Sequence, residues 1–192
     1  MTHFQQILLF TCLFTELFTF TYLYFSNSWT VEKGLPLHMC DFSVISCLLL
    51  LLLQKQIFFE FGFYWGLTGG IIALVTYPSY WKNKPLLLFN YYLCHITIIV
   101  VPLYYLYAYQ FSISWNSYLR TMIITQTLIP PIFWINKKLK TNYMYLNRPT
   151  DFQHMFPSYS FPYNILFMEI ITFFIFALMT LLVISMQNHF FN

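Results

Sequence analysis

The sequence predicts an all-α, polytopic transmembrane bundle of about six helices, and three observations carry that reading. First, hydrophobic types make up 59% of the 192 residues and charged types only 8%. A soluble globular domain carries about 25% charged residues, so this chain has too few to cover itself with solvated surface. Second, apolar runs of about 20 residues, the length that crosses a bilayer, recur from one end of the chain to the other. Third, aromatics are dense, with 23 Phe, 16 Tyr and 5 Trp. Phe is at home against lipid, while Tyr and Trp suit the membrane–water interface. No polar stretch is long enough for a soluble domain, so residues 1–192 read as one integral membrane domain.

The first span runs from about Gln6 to Tyr24, ended by Ser26, Asn27 and Ser28. Its start has no basic residues ahead of the apolar run and no small-residue cleavage site after it, so it reads as a retained helix rather than a signal peptide. The second span runs from Pro36, suited to a first helical turn, to Leu53, where six consecutive Leu precede Gln54, Lys55 and Gln56. The third covers Phe58 to Tyr77 and ends at Pro78. Gly62, Gly66 and Gly70 recur every four residues and share one face, the spacing that lets a neighbouring helix approach closely. After Trp81, Lys82, Asn83, Lys84 and Pro85, the fourth span covers Leu86 to Tyr109, with a kink expected at Pro102. The fifth covers Tyr118 to Ile135, broken at Pro130–Pro131. The connector 136–161 follows, and the sixth span covers Pro162 to Met186 with Glu169 inside it.

Basic residues set the orientation. Lys33, Lys82, Lys84, Lys137, Lys138, Lys140 and Arg148, seven of the nine, fall in connectors 25–35, 78–85 and 136–161. The positive-inside rule puts those connectors in the cytoplasm of a cell-membrane protein, with both termini outside. Lys137, Lys138 and Lys140 also stand where anionic headgroups gather. A net charge of +3 is too weak and scattered for nucleic-acid binding. Cysteines Cys12, Cys40, Cys47 and Cys94 form no CxxC pair, and no disulfide or zinc pattern is present. Cys12 and Cys47 read as small apolar helix residues. No metal or cofactor is implied, because the histidines and cysteines lack ligand spacing.

Ionisable groups inside a span are costly and mark candidate sites. Glu16, His38 with Asp41, His95 and Glu169 qualify. Glu16 and Glu169 each have a plain alternative, a partner on another helix. The densest chemistry is Leu35-Pro36-Leu37-His38-Met39-Cys40-Asp41, a thiol, an imidazole and a carboxylate at the start of the second span. A helix N-terminus favours thiolate, while Asp41 opposes it unless it caps the helix or pairs with Lys33. His38 and Cys40, two residues apart, diverge on a regular helix, so a base for Cys40 has to come from elsewhere. His95 lies roughly 15 Å into the fourth span at about 1.5 Å per residue, deeper than Cys40. Spacing alone leaves a Cys–His catalytic pair and structural hydrogen bonding both open.

The segments LPLHMCDFS (35–43), FGFYWGLTGGIIALVTYP (61–78), FNYYLCHITIIVVPLY (89–104) and TNYMYLNRP (141–149) resemble the bacterial YwaF-like integral membrane proteins, which are related to the eukaryotic transmembrane protein 164. The resemblance covers nearly the whole chain in order. It implies a membrane acyltransferase-like fold acting on lysophospholipid, with Cys40 of the LPLHxC segment and His95 of the fourth helix as the catalytic pair. Members of that family usually carry a further helix ahead of the first one counted here.

Three functions follow for testing. In the first, Cys40 takes a fatty acyl group and His95 serves as general base for transfer to a lysophospholipid or to water. His38 and Asp41 orient the site or meet the headgroup, with Asn90 and Tyr91 about one turn from His95. In the second, the chain transports a small solute along a path lined by Glu16, His95 and Glu169. In the third, it is a non-catalytic membrane scaffold that associates through the Gly62–Gly66–Gly70 face. The partner common to all three is membrane lipid; oligomeric state is not encoded in any of these patterns.

Overall fold

The computed structural model describes residues 1–76, 83–147 and 163–190. The chain is all-α, with no strand among the described residues. It divides into two compact units, Met1–Phe111 and Ser112–Asn192. Among the described residues, five helical segments are long and apolar enough to cross a membrane: His3–Phe25, Val31–Leu53, Gln56–Val75, Pro85–Ala108 and Ile165–Asn188.

Helix α1 (His3–Phe25) is started by a capping box in which Thr2 accepts from the Gln5 N–H and the Gln5 side chain accepts from the Thr2 N–H. This reciprocal cap satisfies two donors that a helix start leaves orphaned, and it begins the helix three residues before the apolar run. A single turn, α2 (Val31–Gly34), follows. Helix α3 (Met39–Leu53) then starts at Met39, not at Pro36. The expectation of Pro36 inside the first turn is corrected for a local reason. Pro36 holds Leu35 extended, as a following proline does, and the Asp41 carboxylate reaches back to accept the His38 N–H at 2.7 Å.

The third span is three pieces in one rod: α4 (Gln56–Phe61), a π-helical turn at Gly62–Gly66, and α5 (Leu67–Val75). Helix α6 (Pro85–Ala108) carries Pro85 at its first turn and passes through Pro102 unbroken. Within the first unit α6 is the hub. Gln5 pairs with Tyr105 while Thr15 and Thr19 pair with Asn90, so α1 and α6 run antiparallel. Gly66 meets Ile98 and Ala73 meets Tyr91, so α5 is antiparallel to α6 as well. The Cys47 thiol lies 3.9 Å from Ile98 O, with Cys40 nearer the Cys94 level, so α3 runs parallel to α6. Directions alternate along the chain, as successive spans require.

The glycine face is used inside this unit. A Cβ on Gly66 would lie 2.6 Å from Ile98 O, and one on Gly70 would lie 2.7 Å from Ile99 Cγ1 and 3.1 Å from His95 O. Gly62 faces Cys47 at an ordinary 3.5 Å, and Gly69 has nothing within 4 Å.

In the second unit, α7 (Trp115–Leu139) opens with a Ser114–Ser117 capping box and runs straight through Pro130–Pro131, where the sequence suggested a break. Its 25 residues have the length of a span, but Asn116, Arg120, Gln126, Asn136, Lys137 and Lys138 keep its hydropathy below that of the other five. Lys137 and Lys138 lie over the rings of Phe133 and Trp134. A short 3₁₀ turn, Tyr143–Tyr145, follows, and α8 (Tyr163–Phe190) completes the chain. The predicted connector residues Lys82 and Arg148, and the two prolines expected to end the third span and begin the sixth, Pro78 and Pro162, lie outside the described residues.

Candidate functional site

Cys40 occupies the first turn of α3 and is partly buried. Its Sγ lies 3.8 Å from Asp41 Oδ1. Asp41 therefore does two things: one oxygen caps the helix through the His38 N–H, and the other faces the thiol. This settles the role of Asp41 as a cap. The first N–H groups of a helix have no partner within the helix, so the end that carries Cys40 also presents backbone donors and the positive end of the helix dipole.

Across from this turn stands a second thiol and carboxylate. Cys94 Sγ of α6 lies 4.0 Å from Glu16 Oε1 of α1, at the outer limit of a thiol hydrogen bond. Cys40 lies within electrostatic reach of Asp41, Cys94 and Glu16. Glu16 in turn senses Asp41. The cluster draws on α1, α3 and α6, and all four cysteines of the chain are free thiols. Cys12 and Cys47 are fully buried, as expected of small apolar helix residues.

His95 is the residue after Cys94 on α6. Successive helical residues point about 100° apart, so His95 is turned away from Cys94 about the α6 axis. His95 is only 5% exposed. Its Nδ1 lies 2.7 Å from Tyr91 O, and its ring packs on the Tyr91 ring at 4.1 Å between centroids. The Tyr91 hydroxyl donates to Ala73 O of α5 at 3.1 Å. A carbonyl only accepts, so Nδ1 carries the hydrogen, and in the neutral ring Nε2 is the basic nitrogen.

Among the sequence-derived residues, the fold brings Cys40, Asp41 and His38 together in one turn, and His95 with Tyr91 on one face of α6. Cys40 and His95 make no hydrogen bond to each other. Asn90 faces α1, where its Nδ2 donates to Thr15 O at 2.9 Å and to Thr19 Oγ1 at 2.8 Å. Glu169 of α8 accepts from Gln126 Nε2 of α7, the plain interhelical partner that its position allowed for.

Three residues escaped the sequence reading. Cys94 was passed over for its neighbour His95, although Asn90 and Cys94 are one turn apart on the face that meets α1. Glu60 lies inside the third span, is fully buried and accepts from Gln56 at 3.2 Å; its position within an apolar run was the available signal. Asn136 likewise organises the segment after α7. It accepts from the Tyr143 N–H at 2.7 Å and from Thr141 Oγ1 at 3.0 Å, and donates to Tyr143 O at 2.8 Å. The Thr141–Asn147 segment is therefore a folded knot, not a slack tether.

Chemically, the first unit offers a nucleophile beside a helix N-terminus, a basic imidazole nitrogen on α6, and two carboxyl groups. The sequence matches the TMEM164 family over residues 1–180. No curated protein and no solved structure matches it at a significant level.

Proposed function

The chain belongs to the TMEM164 family, and from that premise we propose that this multi-pass membrane protein is a thiol-dependent lipid acyltransferase, with Cys40 as nucleophile and His95 as general base. The observation that carries the reading is the seat of Cys40: a half-buried cysteine in the first turn of α3, where the positive end of a helix favours a developing oxyanion.

The Cys40 sulfur attacks an ester carbonyl of a donor phospholipid. The S–C bond forms, the ester C–O bond breaks, and the thiol proton passes through His95 Nε2 to the departing lysolipid oxygen. In the second half an acceptor hydroxyl attacks the thioester. The new C–O bond forms, the S–C bond breaks, and the hydroxyl proton returns through His95 to the sulfur. Water in place of the acceptor gives a free fatty acid. The Tyr91 carbonyl supports this by fixing Nδ1–H and leaving Nε2 as the base. The lysophospholipid acceptor is carried over from the family resemblance; the helices themselves imply only a lipid environment.

The test uses purified protein in phospholipid nanodiscs with a labelled lysophospholipid. Cys40→Ala is expected to abolish labelled product. His95→Ala is expected to lower the rate by about 10²–10⁴-fold, the usual contribution of a general base. Cys94→Ala is the control for a second thiol in the same cluster. Full activity in Cys40→Ala ends the proposal.

A further inference from the structure

The second unit carries an open groove between its two long helices. The groove has a volume of about 280 Å³ and is lined by Met122 and Gln126 of α7 and by Glu169, Ile170, Phe173 and Phe174 of α8. Gln126, Ile170, Phe173 and Phe174 are exposed, so the groove opens outward. Glu169 is half-buried, and one of its carboxyl oxygens accepts from Gln126 Nε2. The other oxygen has no partner among the described residues. No basic residue lines the groove. A carboxylate facing lipid without a counter-charge is costly, and a carboxyl group in such a place marks a candidate site.

The groove is polar at one end only. Gln126 meets Glu169, and the Tyr118 ring meets the Phe173 ring at 5.7 Å between centroids, so α7 and α8 run antiparallel. Ile170, Phe173 and Phe174 continue from Glu169 along α8, and Met122 continues from Gln126 along α7 in the same direction. Glu169 stands one helical turn, about 6 Å, past Ile165, where the apolar segment of α8 begins. The hydrogen-bonding end of the groove is therefore the end nearer the membrane surface, and the apolar end runs deeper. A lipid with its head at Glu169 and its chain along Phe173 and Phe174 has the same polarity.

Three properties of the groove choose its occupant. Its volume lies just below the about 300–1,000 Å³ of ordinary ligand pockets, which suits one chain rather than two. Glu169 lies inside the apolar segment, which suits a small head without a phosphate. The remaining carboxyl oxygen needs a donor of opposite charge. We propose that the α7–α8 groove binds a single-chain lipid with a primary ammonium head, which donates to the second oxygen of Glu169 while the chain lies over Ile170, Phe173 and Phe174. Gln126 holds the carboxyl in position through the first oxygen. A hydroxyl head supplies a hydrogen without the charge, and a quaternary ammonium the charge without a hydrogen; a primary ammonium supplies both. The site lies wholly in the second unit and needs nothing from the chemistry at Cys40.

The experiment uses the full chain in phosphatidylcholine nanodiscs and a photoreactive octadecylamine with a diazirine in its chain. Labelled peptides are expected to map to Met122 and to residues 170–174. Unlabelled octadecylamine is expected to displace the probe about tenfold better than octadecanol or octadecyltrimethylammonium, in line with one charge-assisted hydrogen bond. Glu169→Gln keeps the shape of the side chain and loses its charge, and it is expected to remove that preference. Labelling spread evenly over the exposed helix faces overturns the groove as the site. An alcohol that competes as well as the amine overturns the ammonium head, and a quaternary amine that does so overturns the hydrogen bond. A preference that survives in Glu169→Gln overturns the assignment to Glu169. If Glu169→Gln does not assemble, the labelling map and the ranking of the three heads on the unmodified protein decide the outcome.

Discussion

Helix α6 is packed in two different ways on its two sides. Toward α1 the seam is made by side chains: Gln5 to Tyr105, Thr15 and Thr19 to Asn90, Glu16 against Cys94. Toward α5 the seam is made by the absence of side chains, with Gly66 and Gly70 admitting the backbone of Ile98 and His95 to near contact. In a membrane there is little hydrophobic drive between helices, so both devices are needed: close van der Waals approach on one side, hydrogen bonds on the other. They differ in what they tolerate. A glycine seam has no slack, because a backbone cannot move aside as a rotamer can. A hydrogen-bonded seam is weaker bond for bond, but it leaves polar atoms available for chemistry. Cys94 and Glu16 belong to the side-chain seam, while the His95 ring packs on Tyr91.

That contrast is testable through a graded series. The largest effect is expected from Gly66→Val, whose Cβ would meet a carbonyl oxygen at 2.6 Å; overpacking of this kind costs about 3 kcal/mol, read as a lowered unfolding temperature in detergent. Gly70→Val is expected to cost about 2 kcal/mol, because its first obstacle is the flexible end of Ile99. On the other seam, Asn90→Leu is expected to cost about 1 kcal/mol, near the average for interhelical hydrogen bonds in membranes. At the foot of the series, Gly69→Ala meets nothing within 4 Å and is expected to stabilise by about 0.5 kcal/mol through reduced unfolded-state freedom. If Asn90→Leu proves costlier than Gly66→Val, the two seams have been ranked wrongly.

The helices were legible in the sequence because crossing a membrane demands long apolar runs, and five of the six predicted spans are helices with the length and hydropathy to cross. The sixth, α7, is a helix of the right length whose polar residues dilute that signal. Element starts were less legible. The start of α3 turned on a reach-back from Asp41 that overruled the preference of Pro36 for a first turn, and that of α1 on the pairing of Thr2 with Gln5. Prolines were read as breaks at 130–131, yet α7 continues through them. For the site, spacing named Cys40 and His95 but not their direction about the helix axes. Direction is set by which faces of α6 the glycines of α5 and the polar residues of α1 claim, and that depends on tertiary packing. Hence His95 was named while Cys94, one residue earlier, was not.

The π-helical turn at Gly62–Gly66 bears on how this chain tolerates a change of length. A π turn holds one residue more than the α turn it replaces. Removing a single residue there lets the turn relax to ordinary α geometry while the flanking helices keep their rotational phase. A one-residue deletion in α4 that left the π turn intact would instead swing Gly66 and Gly70 about 100° away from α6. The segment is thus a built-in expansion joint, a place where the third span can shed a residue and still present its glycines to the hub.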